Sequence, residues 1–155
     1  MIKTKITALL DQEGVAYRVL PHSSPSTSIV ETAAQRGIPT SKMVKSILLR
    51  DMDDNYIIAC VPGNKPVDPK KIRAFLKCRR ITCVSLNEVE AVTGYQVGTI
   101  SPLLLKFPIP IFFDSSLLDM QEITISSGCN MAGIALNIHD LISLCLPQIT
   151  DIIRD

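Results

Sequence analysis

Met43-Val44-Lys45-Ser46-Ile47-Leu48-Leu49, followed by Asp51-Met52-Asp53-Asp54-Asn55 and then Tyr56-Ile57-Ile58-Ala59-Cys60-Val61, is the stretch from which the fold is read. Its two outer runs are rich in apolar and β-favouring residues, and the polar segment between them has turn chemistry, so it predicts a β-hairpin. On its N-terminal side, Ile2, Ile6, Leu9 and Leu10 recur at helical spacing with Gly14 as a stop. A short strand over 15–20 and a polar loop over 21–28 follow. Ser28-Ile29-Val30-Glu31 then reads as a capping box opening a helix that Gly37 and Pro39 end. On the C-terminal side, Asp68 and Pro69 start a helix to about Lys77, and Ser85-Leu86-Asn87-Glu88 caps another that stops near Gly94. Strands are expected over 81–84, 109–113, 122–126 and 134–138, with a closing helix over 140–146. The class is α+β: a single domain over 1–155 in which helices flank a mixed, largely antiparallel sheet.

At 155 residues with 46% hydrophobic and 20% charged residues, the chain is long and apolar enough to bury one core. Pro108, Pro110 and Pro147 interrupt the apolar runs, so no membrane partner is expected. The beginning, Met1-Ile2-Lys3-Thr4-Lys5, lacks the features of a signal peptide, and a cytoplasmic location is expected. Cys60, Cys78, Cys83, Cys129 and Cys145 form no C-x-x-C pair, and the two histidines are His22 and His139. Neither a disulfide framework nor a metal site is indicated, and without a glycine-rich nucleotide loop no cofactor is expected.

Net charge is only +1, but the basic residues Lys65, Lys70, Lys71, Arg73, Lys77, Arg79 and Arg80 crowd one segment with a single acid, Asp68. On a helix starting there, Lys70, Arg73 and Lys77 share one face, and Ile72, Phe75 and Leu76 the opposite, core-facing one. Two readings stand: a solvated helix face, or a strip for RNA phosphates, with no DNA partner implied.

Three segments carry candidate chemistry. Val44-Lys45-Ser46 puts a lysine at the start of an apolar strand, where it snorkels to water or serves a site. Gly94 through Gly98-Thr99-Ile100-Ser101-Pro102 is a loop able to present successive backbone N–H groups at one point. Ser127-Gly128 precedes Gly133-Ile134-Ala135-Leu136. Ser101 is not in a G-x-S-x-G elbow, which argues against a serine nucleophile.

In this order, these segments, with Val67-Asp68-Pro69-Lys70-Lys71 and His139-Asp140-Leu141, resemble the YbaK family of aminoacyl-tRNA deacylases. That family includes the editing domain inserted in bacterial prolyl-tRNA synthetases, and the resemblance runs from about Val15 to Leu144. It implies the editing-domain fold and a freestanding, cofactor-independent hydrolase acting on mischarged tRNA, most often tRNA for proline carrying alanine or cysteine. A synthetase is a further partner it allows. The resemblance assigns Lys45 and the loop Gly98, Thr99, Ile100, Ser101 and Pro102 to catalysis. It assigns His22, Ser46, Gly128 and Gly133 to substrate binding. Two departures are visible: Leu104 stands where glycine is common, and Ser127-Gly128-Cys129-Asn130-Met131-Ala132-Gly133 replaces a glycine-rich turn usually followed by Lys-Arg-Gly and an aspartate. The second departure supports an alternative, a catalytically inactive tRNA-binding module of the same fold.

Overall fold

In the computed structural model, which describes residues 2–26 and 28–155, the central hairpin forms in the expected place. Met1 and Thr27, which belong to the N-terminal stretch and the polar loop read from the sequence, lie outside the described residues. β2 (Val44–Asp51) and β3 (Tyr56–Pro62) pair antiparallel, with Ser46 opposite Cys60 and Leu48 opposite Ile58. The turn closes because the Asp51 carboxylate accepts from the backbone N–H groups of Asp53 and Asn55 at 2.8 and 2.9 Å.

The remaining elements in chain order are α1 (Lys5–Gln12), β1 (Tyr17–Pro21) and α2 (Ile29–Arg36) before the hairpin. After it come α3 (Pro69–Leu76), β4 (Ile81–Cys83), α4 (Leu86–Thr93), β5 (Ile111–Asp114), β6 (Glu122–Ser126), β7 (Ala132–Asn137), α5 (Ile138–Cys145) and β8 (Gln148–Thr150). Local chemistry sets the helix ends. Ser28 accepts from the Glu31 N–H to start α2, and Gly37 ends it in the left-handed conformation. Asp68 caps α3 with Pro69 in its first turn.

The strands form two sheets: a three-stranded one ordered β1-β7-β6 and a five-stranded one ordered β4-β2-β3-β5-β8. The first is wholly antiparallel, and the second adds β5 and β8 in parallel to the antiparallel β4-β2-β3 core. The α+β class and largely antiparallel pairing are as read from the sequence, but the sheet is divided in two. A parallel bridge between Met43 and Thr124 joins the halves. The main core, including Ile6, Leu10, Leu48, Ile58, Phe113, Ile123, Ile134 and Leu141, lies between the sheets and the α1, α4 and α5 helices.

A second core of Leu49, Ile57, Ala59, Val61, Ile72, Ile81, Phe112 and Ile152 covers the opposite face of the five-stranded sheet, where α3 packs. Here one expectation is corrected. Of the three apolar residues assigned to the buried face of α3, only Ile72 is fully enclosed, while Phe75 and Leu76 are 46% and 41% exposed. The Phe75 ring still meets Phe112 edge-on at 5.5 Å between centroids, so an eight-residue helix near a sheet margin is anchored by one side chain and steadied by a second. Burying Ile72 contributes about 2 kcal/mol.

The segment after α4 returns under tight control. Tyr95 is buried and its hydroxyl donates to the Leu103 carbonyl. Burial pushes that phenol well above its ordinary range. One residue on, Leu104 sits at φ +55°, in the left-handed region where its Cβ crowds the following carbonyl. Leu104→Gly is therefore expected to raise stability by about 0.5 to 1 kcal/mol, the relieved strain exceeding the added unfolded-state entropy. An unchanged or lower midpoint in urea unfolding would show that the position carries no net strain.

Candidate functional site

A cavity of about 200 Å³ opens beside the Met43–Thr124 bridge. Its walls come from the loop after β1 (His22, Ser26), one side of α2 (Ile29, Thr32, Arg36), the start of β2 (Val44, Lys45, Ser46), the loop after α4 (Gly98, Ile100), and Ser126 with Cys129. It is small beside the roughly 300 to 1,000 Å³ of pockets that enclose drug-sized ligands, and suits a ligand of amino-acid size.

The structure brings together Lys45, Ser46, His22, Gly98 and Ile100 from three separate places in the chain. Lys45 is half-buried and has no ion-pair or hydrogen-bond partner among the described residues. Loss of solvent holds its ammonium below the ordinary lysine range. By strand alternation Lys45 shares its sheet face with Ile47 and Leu49, so its position at the very start of β2 is what leaves it on the cavity wall. The Ser46 hydroxyl lies 3.4 Å from the Cys60 sulfur. Burial pushes that thiol up to about 12, so it stays protonated and inert.

The loop divides its members. Gly98 takes φ +85°, a conformation in which other residues are strained, and neither its N–H nor that of Ile100 is bonded among the described residues. Thr99 differs: its N–H donates to the Gln96 carbonyl at 2.9 Å and its side chain to the same oxygen at 2.8 Å. Ser101 is buried with its hydroxyl turned to the Leu103 N–H, and Pro102 is buried and has no N–H to give. The expectation of a run of successive backbone donors is therefore corrected at Thr99, whose donor is consumed in the turn; of the loop residues with N–H groups unbonded among the described residues, Gly98 and Ile100 line the cavity and Ser101 does not. From below, the Ser126 hydroxyl donates to the Thr99 carbonyl at 2.7 Å and fixes the loop against β6.

Neither glycine assigned to substrate binding lines the cavity. Gly128, at φ +95°, packs against the Tyr95 ring, where an added Cβ would come within 3.2 Å. Gly133 lies under Arg36, and a Cβ there would come 2.2 Å from the arginine Nε. Lys70, Arg73 and Lys77 are exposed on and just after α3, outside the cavity lining, and Lys77 itself is the left-handed C-cap.

Sequence reasoning missed Arg36. Its Nε–H donates to His22 Nε2 at 3.2 Å and its Nη1 to the Thr124 hydroxyl at 2.9 Å, while His22 Nδ1 meets the Asn130 carbonyl at 2.9 Å. Together these contacts require the His22 tautomer with its proton on Nδ1. Burial lowers the guanidinium to about 10. Its position in the last turn of α2 reads from sequence as ordinary dipole complementarity, which concealed it. Among the described residues, no three His, Cys, Asp or Glu side chains gather as a metal-ligand set.

Residues 23–144 match the family model described as "Aminoacyl-tRNA editing domain". The chain belongs to the aminoacyl-tRNA editing domain family. A protein of Enterococcus faecalis, EbsC, named as a candidate Cys-tRNA(Pro)/Cys-tRNA(Cys) deacylase, is 25% identical over 152 residues, covering 97% of this chain and 93% of that one. A proline–tRNA ligase of Desulfovibrio desulfuricans is 29% identical over 114 residues, 74% of this chain but only 19% of the ligase. The fold matches the crystal structure of a candidate trans-editing enzyme for prolyl tRNA synthetase with a TM-score of 0.86 at 19% identity, covering all of both chains. His22 lies one residue before the family match begins. No helix among the described residues is long and apolar enough to cross a membrane.

Proposed function

We propose that the chain is a freestanding hydrolase that removes a wrongly attached amino acid from tRNA, with tRNA for proline carrying alanine or cysteine as the first substrates to test. The observation that carries this reading is that Gly98 and Ile100, whose N–H groups are unbonded among the described residues, line an amino-acid-sized cavity in a member of the editing-domain family. The near-complete coverage of EbsC supports action in trans, and the ligase match supports proline as the starting point. A tRNA substrate would put its work in the cytoplasm.

The reaction adds water to the ester carbonyl carbon and breaks its bond to the terminal ribose oxygen. That oxygen takes up a proton, and the amino acid leaves as a carboxylate with a second proton passing to solvent. The ester is intrinsically labile, so the site needs orientation and charge stabilisation more than a nucleophile. Negative charge developing on the carbonyl oxygen would be met by the Gly98 and Ile100 N–H groups, pre-set by the left-handed turn and by Ser126. Lys45 would hold the sugar or terminal phosphate from the β2 side, with Ser46 beside it. No carboxylate among the described residues lines the cavity, and the attacking water is assigned to activation by the substrate's own groups.

A panel of charged tRNAs, read as release of free amino acid, tests this reading. Lys45→Ala is expected to slow release by about tenfold or more with the fold unchanged, since the side chain serves the ligand and has no internal partner. Gly98→Ala should lower turnover by about a hundredfold, because strain at φ +85° turns the N–H away, while circular dichroism stays native. Full activity in either variant removes that residue from the site. Binding of charged tRNA without any release would favour the inactive module of the same fold. Neutralising Lys70, Arg73 and Lys77 together should flatten the slope of log affinity against log salt by about two units, at roughly 0.7 per lost phosphate contact. An unchanged slope makes these cations a solvated face.

A further inference from the structure

The charged residues among the cavity's described lining are of one sign only. Its lining holds Arg36 and Lys45 and no Asp or Glu, and neither cation has an ion-pair partner among the described residues. Arg36 is the more constrained of the two. Its Nε and Nη1 contacts, to His22 and the Thr124 hydroxyl, are to uncharged groups and fix the plane of the guanidinium. Of its five N–H donors, those on Nη2 have no protein partner among the described residues. Yet no buried side-chain nitrogen or oxygen among the described residues lacks a hydrogen-bond partner, so Nη2 keeps some exposure to solvent in a residue that lines the cavity. The strand beneath the guanidinium leaves space for it: a Cβ at Gly133 would lie 2.2 to 2.6 Å from the guanidinium atoms.

A half-buried, oriented and unpaired guanidinium is costly unless a ligand completes it, because burial disfavours the charged form. Its planar fork matches a two-oxygen anion better than a point charge does. We propose that Arg36 is an anion-binding residue of this cavity, receiving a phosphate or carboxylate oxygen of the ligand through the Nη edge left open by His22 and Thr124. The choice of probes rests on the deacylation reading; the geometry does not. Two parts of an aminoacylated RNA end carry the required chemistry, the phosphodiester next to the terminal adenosine and an acidic side chain on the attached amino acid.

The test is binding by calorimetry, which needs no turnover. Four probes are used: adenosine, the cytidine-cytidine-adenosine trinucleotide, and the stable 3′-amides of adenosine with alanine and with aspartate. The wild type is compared with Arg36→Met, with Arg36→Lys, and with Gly133→Ala, which evicts the guanidinium without touching it chemically. Thermal melts confirm that each variant is folded. The expected result is that an anionic probe loses about tenfold or more in affinity in both Arg36→Met and Gly133→Ala, less in Arg36→Lys, while its neutral counterpart is unchanged. Loss confined to the trinucleotide identifies the phosphate as the source, and loss confined to the aspartyl amide identifies the side-chain carboxylate. If folded Gly133→Ala and Arg36→Lys both bind every probe as the wild type does, Arg36 only props His22, and the proposal is overturned. Failure of the deacylation reading shows separately, as no amino acid release from any charged tRNA while Arg36-dependent binding persists.

Discussion

The parallel bridge between Met43 and Thr124 is the contact on which the site depends. It ties the entry of β2 to the middle of β6, so two sheets that share a core are held together at one margin. The strands on either side of that tie belong to different sheets, and the gap beside it is the cavity. Thr124 uses its hydroxyl to receive Arg36, which makes the same residue both a joint between sheets and a fixed point of the cavity wall. The Met43 carbonyl accepts from the Gly63 N–H at 2.8 Å, so the joint is continuous with the end of β3.

Around this joint, irregular segments are held by specific partners. The loop after α4 is gripped by Ser126 from β6, and just beyond it the Leu103 carbonyl is held by Tyr95. On the far side, the loop after β1 is laid against the turn before β7: His22 and Ser26 donate backbone N–H groups to the Met131 and Asn130 carbonyls. Loops carrying a site become precise when a scaffold fixes them, and here most of the fixing bonds come from β6 and the turn that follows it. The C-terminal segment is clasped independently, by buried Asp114 accepting from the Ile152 N–H at 2.9 Å and by Lys71 pairing with Asp151 and Asp155.

How much of this was legible in the sequence follows from the range of the forces involved. The hairpin, the helix starts at Ser28 and Asp68, and the stops at Gly37 and Gly94 are local, and the residues name them. The family resemblance drew Lys45, Ser46, His22 and the Gly98 loop into one site, and the structure gathers Lys45, Ser46, His22, Gly98 and Ile100 around a single cavity. What was not legible is non-local or depends on one hydrogen bond. β8 is three residues paired in parallel at a sheet edge, too short for any periodicity. The division of the sheet rests on which strands meet. The silence of the Thr99 donor depends on the Gln96 carbonyl, and no pattern distinguishes it from its neighbours. Phe75 and Leu76 obey helical spacing, yet spacing does not say how far the sheet beneath extends.

The fit of Arg36 over Gly133 also constrains how this chain can change over generations. Any side chain at 133 displaces the guanidinium, and loss of the arginine alone leaves Nε2 of His22 and the Thr124 hydroxyl without their donor. Either step disturbs the same set of contacts. Positions 36 and 133, nearly a hundred residues apart in sequence and in contact in space, are expected to respond to substitution non-additively. Whatever alters the one alters what the other contributes to the charge of the cavity.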